Sequence, residues 1–463
     1  MEQSARLAGI LAIIGTTLLF SGCTKTFSVD VDSSQKISAS AGNFANNLDN
    51  GDQFGQAIAN LGDIESDGVI DLAVGAPYDD DNGTDQGAVY ILFMDDNGQV
   101  DLKQKISETE GSFNGALDGG DRFGFAVTGL GDLNRDGFTD IAVGAPGDDD
   151  GGTDRGAVWI LNLDAQGRVF NEQKISNDAG NLNETLDDAD QFGSALATVG
   201  DLNGDGIVDL VVGVPGDDDG GTDRGALWIL FMNNDGRVNG RQKISFNTGN
   251  FNGDLHDGDR FGSAITNMGD LDGNGISDLA VGAPGDDDGG TDRGAVWIIT
   301  LNSNGTVSAE YKISQTQAQF DGALADGDQF GNAVTNLGDI NNDGVTDLGV
   351  AASQSDDGGV DRGAFWVLFL RDDYTVISTS RISDTSGNFN ETLHDDDRFG
   401  SALVSLGDLN GDGISDLASG ASLDDDGGTD RGALWILFMK DVKVGVKTDK
   451  DADLATIFSG RGY

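Results

Sequence analysis

In 463 residues, 80 Asp and Glu stand against 27 Lys and Arg, a formal net charge of −53, so nucleic acid and anionic lipid headgroups are excluded as partners and cations are expected. With 72 Gly, 4 Pro and 37% hydrophobic residues, the chain has material for a core and the turn content of an all-β protein. A single Cys excludes any disulfide within the chain and leaves packing and bound metal to stabilise it.

The chain opens on Arg6 and an uncharged apolar run over residues 7–20, too short to span a bilayer as a helix but suited to the apolar region of a secretory signal, here residues 1–22. Glu2 offsets the charge ahead of that run. Cys23 follows Leu19-Phe20-Ser21-Gly22, a stretch that resembles the lipobox of bacterial lipoproteins, with Phe20 in place of the usual Leu. The expectation is an exported chain, lipidated at Cys23 and held in the cell envelope or at the cell surface through that anchor alone. The alternative is an ordinary signal peptide cleaved nearby. Residues 23–27 read as a linker.

Residues 28–448 repeat. Phe-Gly pairs occur at Phe54, Phe123, Phe192, Phe261, Phe330 and Phe399, a constant step of 69 residues, which defines six units without gaps. Each unit carries four apolar segments, over 192–199, 208–214, 226–232 and 237–245 in the third, separated by Gly and Asp clusters that read as turns. Repeated four-stranded units describe a β-propeller, whose ring closure protects the strand edges that a linear stack would expose. The predicted fold is all-β, with six four-stranded blades.

In each junction a valine precedes the isoleucine of a Lys/Arg-Ile-Ser signature by six residues, from Val100 and Ile106 to Val376 and Ile382. Val31 and Ile37 keep that register before any first strand has occurred. Residues 28–38 are therefore predicted as the fourth strand of the last blade. Past Met439 the signature is missing, yet Val442, Val444 and Val446 alternate, so this segment could pair there instead or add a strand. Residues 449–463 read as a C-terminal tail.

Between its first and second strands each unit carries D-x-[DN]-x-[DN]-G-x-x-D, with Glu65 as the one exception at the third position. Calcium takes six to eight oxygens from carboxylates, amides and backbone carbonyls, and this spacing supplies them from one turn. The candidate ligands, with the seventh residue contributing its carbonyl, are Asp63, Glu65, Asp67, Val69 and Asp71; Asp132, Asn134, Asp136, Phe138 and Asp140; and Asp201, Asn203, Asp205, Ile207 and Asp209. The later units supply Asp270, Asp272, Asn274, Ile276 and Asp278; Asp339, Asn341, Asp343, Val345 and Asp347; and Asp408, Asn410, Asp412, Ile414 and Asp416. No Glu stands at the twelfth position and strands flank the loop, which rejects an EF-hand, and the oxygen donors argue against zinc and copper. Up to six Ca²⁺ are expected, the first loop being the least regular.

Together with Gly-Ala-Pro at 75–77, 144–146 and 282–284, these motifs resemble the FG-GAP repeats of integrin α-subunit propellers over residues 35–448. The resemblance implies calcium in the hairpins between strands one and two, and roles in adhesion or ligand binding, while some relatives of this type bind glycans or accompany enzymes. Integrin propellers have seven blades and this chain has residues for six. Val214 alters one Gly-Ala-Pro, and Ala351-Ala352-Ser353 and Gly420-Ala421-Ser422 replace two others.

In an up-and-down blade the loops between strands two and three share a face with those joining consecutive blades. The former read DDDGGTDRG at 148–156 and 217–225, and the latter carry further acids such as Asp187, Asp188 and Asp190. This acidic rim reads either as a site for a basic or calcium-bridged partner or as a solvated surface. Arg155, Arg224, Arg293, Arg362 and Arg431 recur beside an aspartate and read as loop-pinning ion pairs. Trp159, Trp228, Trp297, Trp366 and Trp435 share one third-strand position and read as packing between blades. His256 and His394 are the only histidines, and no nucleophile and base stand apart from the repeats, so the chain reads as a non-enzyme. The expected function is a calcium-binding extracytoplasmic surface protein that binds a protein or mediates adhesion. The alternatives are a carbohydrate-active propeller, lectin-like or glycan-cleaving, and a structural envelope component. The partner is then an unidentified protein or glycan at the cell surface.

Overall fold

A computed structural model describes residues 23–44 and 48–448; the signal segment 1–22 and the tail 449–463 lie outside the described residues. The chain divides into Phe27–Lys443 and a small unit of Met1–Thr26 with Val444–Tyr463, of which 23–26 and 444–448 are described. In the small unit a Cβ on Gly445 would stand 2.5 Å from Thr26 Oγ1.

Phe27–Lys443 holds six four-stranded sheets, each in sequential strand order. The first, innermost strands are Ala57–Gly62, Ala126–Gly131, Ala195–Gly200, Ala264–Gly269, Ala333–Gly338 and Phe399–Gly407, and all six line one central channel. The second are Asp71–Ala76, Asp140–Ala145, Asp209–Val214, Asp278–Ala283, Asp347–Ala352 and Asp416–Ala421. The third are Ala88–Met94, Ala157–Leu163, Ala226–Met232, Ala295–Leu301, Ala364–Leu370 and Ala433–Thr448. The outer strands of blades one to five are Val100–Ile106, Val169–Ile175, Val238–Ser245, Val307–Ser314 and Val376–Ser383. Blade six takes Cys23–Ser38 as its outer strand, paired to Ala433–Thr448.

The protein is thus a six-bladed propeller closed by its N-terminal strand. That strand takes in residues 23–27, assigned to a linker in the sequence reading, as well as the expected 28–38. Phe27, Val29, Val31 and Ile37 are buried. The backbone N–H groups of Phe27 and Val29 donate to Ser378 Oγ and Ser380 Oγ of blade five at 2.8 and 2.9 Å. Val442 to Val446 neither displaces this strand nor adds another. Here the third strand simply continues to Thr448.

Second strands are buried at every position, because both faces of each blade pack on a neighbour. Six apolar clusters each join two consecutive blades. Leu227, Ile229 and Ile244 of blade three, for example, meet Leu279, Val281 and Trp297 of blade four. The tryptophans are packing residues, as expected: Trp159, Trp297 and Trp435 lie edge-on to Phe113, Phe251 and Phe389 at 5.1, 5.2 and 5.4 Å.

The Phe-Gly and Gly-Ala-Pro motifs recur because they touch each other across the blade junction. Each Phe forms a parallel bridge with a glycine of the preceding blade, as Phe192 does with Gly156, and Phe54 with Gly432 repeats the contact where the ring closes. This junction moves the start of the third unit's first strand from the expected residue 192 to Ala195. A Cβ on Gly144 would run into the Gly193 carbonyl oxygen, and one on Gly193, at φ +97°, into that of Ala157. In the fifth unit Ala351 replaces the first of these glycines, and the junction opens: a Cβ on Gly400 would stand 3.0 Å from the Ala364 carbonyl oxygen, farther than at its five equivalents.

Candidate metal centres and the loop face

All six candidate metal loops take one conformation. Their fourth residues (Ser66, Arg135, Gly204, Gly273, Asn342 and Gly411) and their sixth, always Gly, all have positive φ. In the third loop Asp201 accepts the N–H groups of Asp205 and Gly206 at 2.8 and 2.7 Å, and Asp205 accepts that of Ile207 at 2.9 Å. Asp209 accepts Leu202 N–H at 3.1 Å and Met232 N–H at 2.9 Å, which ties the loop to the end of the third strand. The seventh residues Val69, Ile207, Ile276, Val345 and Ile414 pack against the cores, while Phe138 is 40% exposed.

The donors fit a hard cation. In the fourth loop carboxylate oxygens of Asp270, Asp272 and Asp278 lie within 4.8 Å of one another, a group that could hold a metal ion. In the fifth loop Asn341 Oδ1 and Asp347 Oδ2 are buried without a hydrogen-bond partner, a costly arrangement for oxygens with nothing to bind. Burial raises the ninth-position carboxylates to about 6 at Asp71, Asp140, Asp209, Asp278 and Asp416 and about 7 at Asp347, and a bound cation would draw these groups to the ionised state. If these residues bind Ca²⁺, the ion would supply cross-linking charge between the loop and the strand.

On the opposite face the Lys-Ile-Ser signature acquires a role. Lys174 Nζ bridges Asp148 at 2.6 Å and Asp150 at 2.9 Å, while Ser176 Oγ donates to Asp150 at 2.7 Å. Lys105 does the same with Asp79 and Asp81, Lys243 with Asp217 and Asp219, Lys312 with Asp286 and Asp288, and Lys36 with Asp424 and Asp426. Burial alone would lower the Lys174 ammonium, but its two aspartates hold it above the ordinary lysine range. In blade five Arg381 replaces the lysine and Ser355 the first aspartate: Arg381 Nη2 donates to Ser355 Oγ at 2.6 Å and its Nε lies 3.4 Å from Asp357.

The recurrent arginines do pin loops, but to a partner farther along the chain than the adjacent aspartate. Arg155, Arg224, Arg293 and Arg362 bind Asp188, Asp257, Asp326 and Asp395 at 2.8–2.9 Å, each in the connection to the next blade. Arg431 donates to Asn50 at 3.0 Å. Much of the acidic rim is thereby committed to holding the face together, and Asp80, Asp149, Asp218, Asp287, Asp356 and Asp425 remain exposed. At its centre a cavity of about 520 Å³ is lined by Gln191, Arg260, Gln329 and Arg398. These belong to a ring alternating Gln53, Arg122, Gln191, Arg260, Gln329 and Arg398, all with positive φ. The alternation is written in the sequence at the residue before each Phe-Gly and shows its meaning only when the units are ranged round one axis.

A further ring of buried aspartates makes stability depend on pH. Burial raises Asp52, Asp121 and Asp190 to about 7 and Asp259 and Asp397 to about 6, against single backbone hydrogen bonds that pull the other way. The folded protein therefore takes up these protons at a higher pH than the unfolded chain, whose carboxyls titrate near 3.9. Their ionisation weakens the fold progressively from about pH 4 to 7. In EGTA the urea midpoint is expected to be higher at pH 5.5 than at pH 7.5, and Asp121→Asn should reduce the difference. A midpoint that falls on acidification over this range contradicts the assignment.

Family models of the FG-GAP repeat match residues 123–161, 192–230, 261–299 and 399–437, and a second FG-GAP repeat model matches 35–93. Five of the six units therefore carry matches to FG-GAP repeats. Similarity extends to integrin α chains: the chain is 36% identical to integrin alpha-2 of Mus musculus over 170 residues, which is 36% of this chain and 13% of the relative. It is 30% identical to integrin alpha pat-2 of Caenorhabditis elegans over 249 residues, 50% of this chain and 18% of that one. The chain thus spans less than a fifth of the length of the curated relatives it matches. Among solved structures, BBS1N in complex with ARL6DN aligns at 14% identity and a TM-score of 0.40, covering 89% of this chain and 96% of that one. Among the described residues no helix is long and apolar enough to cross a membrane.

Proposed function

We propose that this protein is a calcium-clamped binding or adhesion module of the cell exterior that engages a protein partner through its loop face. The observation that carries the reading is the construction of that face: every blade locks its acidic loop with a Lys or Arg from the outer strand. The result is a rigid surface, negative at its rim and bearing arginine around a central cavity. A surface of this kind steers and orients a partner of complementary charge rather than turning over a substrate. Similarity to integrin α chains supports a binding role. In this reading the six loops from Asp63 to Asp416 carry Ca²⁺, residues 1–22 direct export, and lipid on Cys23 supplies the anchor.

The test is capture of surface proteins by the immobilised mature chain in millimolar Ca²⁺, beside a glycan array. A captured basic protein whose binding weakens several-fold between low and high salt, and again when the exposed rim carboxylates are neutralised in Asp218→Asn with Asp287→Asn, supports the reading. Binding confined to glycans, indifferent to salt, replaces it with the carbohydrate-binding alternative.

A further inference from the structure

Two residues depart from the repeat together, and the fold brings them into contact. In the turn between third and fourth strands Gly98, Gly167, Gly236 and Gly305 have φ of 70–78°, whereas the fifth unit places Tyr374 there at φ 61°. A bulky L-residue adopts this conformation only under strain. The glycine of this turn faces the outer strand of the preceding blade: a Cβ on Gly305 would stand 3.2 Å from Gln242 Cβ. The equivalent of Gln242 in blade four is Tyr311, where four other units carry glutamine at positions 35, 104, 173 and 242. The Tyr311 and Tyr374 rings pack with centroids 4.6 Å apart at 58°, and Tyr311 is 40% exposed.

Beside this pair lies a cavity of about 520 Å³ on the outer wall of blade four, lined by Asp254, His256, Trp297, Glu310, Lys312, Asp373 and both tyrosines. Its charge balance is negative. Lys312 is committed to Asp286 and Asp288. Among the described residues Glu310 and Asp373 have no ion pair, and the nearest basic group to Asp254 is His256, at 3.8 Å. The protein puts its own cation over the third-strand aromatic of each blade: Lys174 over Trp159, Lys243 over Trp228, Arg381 over Trp366 and, within this cavity, Lys312 over Trp297, at 4.9–5.8 Å. The tyrosine pair has none among the described residues.

We propose that this cavity binds an organic cation, an ammonium or guanidinium group that sits against the Tyr311 face and is balanced by Glu310, Asp254 and Asp373. A cation gains from both the ring quadrupole and the carboxylates. An anion is repelled by them, and a neutral sugar leaves their charge unanswered. The same chemistry is available from a free alkylammonium ion or from a Lys or Arg side chain presented by a protein. The cavity shares no lining residue with the central one ringed by arginine, so its failure leaves the function proposed above untouched.

The experiment is calorimetric titration of the full chain with tetramethylammonium chloride, with N-acetyl-lysine methylamide and with methyl glucoside, at fixed ionic strength in millimolar Ca²⁺. Saturable binding of either cation, with no heat from the sugar, is the expected result. The tighter of the two cations identifies a free ligand or a basic side chain as the source. Tyr311→Gln with Tyr374→Gly restores the residues of the other units and relieves the strained turn. It should keep or raise the thermal midpoint while weakening cation binding at least tenfold. Glu310→Gln neutralises a side chain without a hydrogen-bond partner among the described residues, should leave the midpoint unchanged, and should weaken binding several-fold, which keeps the test available if the double variant unfolds. No saturable cation binding, preference for the sugar, or undiminished cation binding in the variants overturns the proposal.

Discussion

Removal of divalent cations with EGTA is expected to lower the thermal midpoint of the mature protein by roughly 10 °C or more relative to millimolar Ca²⁺. A ligand that binds only the folded state stabilises it by about 2.7 kcal/mol per site at 100 times its dissociation constant, so two strongly occupied loops contribute about 5 kcal/mol. At about 2–4 °C per kcal/mol for domains of a few hundred residues, this is a shift of the stated size. The donors make such coupling physical. The ninth-position carboxylate of each of five loops also accepts an N–H from the third strand, as Asp278 does from Leu301 at 2.9 Å and Asp347 from Leu370 at 3.0 Å. A cation bound there would join loop, second strand and third strand. Ion counting beside calorimetry should find five or six Ca²⁺, the fourth loop holding its ion most firmly and the first least, because Glu65 replaces the shorter third-position side chain. Asp270→Ala should remove one ion and leave the other loops loaded. No change in midpoint together with no bound ion would make these loops ordinary turns.

The periodicity of 69 residues made blade number, strand order and the closing strand legible before any coordinates, since each follows from where a motif recurs or fails to recur. Contacts within a blade were less legible. Lys174 and Asp148 are 26 residues apart, and the same interval separates Lys105 from Asp79 and Lys243 from Asp217. The spacing is visible in the sequence but has no meaning until the outer strand is folded back against the loop. Arg155 stands beside Asp154 in the chain yet binds Asp188, 33 residues on, because the left-handed backbone at Asp154 belongs to a turn that leads the arginine toward the next connection. Contacts between blades were the least legible. Tyr311 and Tyr374 are each one exception in one unit, and nothing in their positions along the chain marks them as neighbours. Their convergence requires knowing that the turn of blade five lies on the outer strand of blade four.

A chain beginning at residue 39, which lacks the closing strand, is expected to lose the folded ring. Phe27, Val29, Val31 and Ile37 leave the core, and at about 1.5–3 kcal/mol for each buried large side chain their loss is comparable to the whole stability of an ordinary domain. Asp424 and Asp426 lose Lys36, and a buried carboxylate without its counter-ion adds about 3–5 kcal/mol. The third strand of blade six also becomes an unpaired edge beside an open apolar face, the arrangement most prone to intermolecular pairing. Size exclusion and circular dichroism should show a self-associating or unfolded species in place of the monomeric ring. A synthetic peptide of residues 23–38, added during refolding, should restore the monomer and its thermal transition. The same peptide with Lys36→Ala and Val31→Asp should not, since it can pair its backbone but supplies neither the cation nor the apolar face. A truncated chain that remains monomeric with an unchanged midpoint would mean that the junction of Phe54 with Gly432 closes the ring without a clasp.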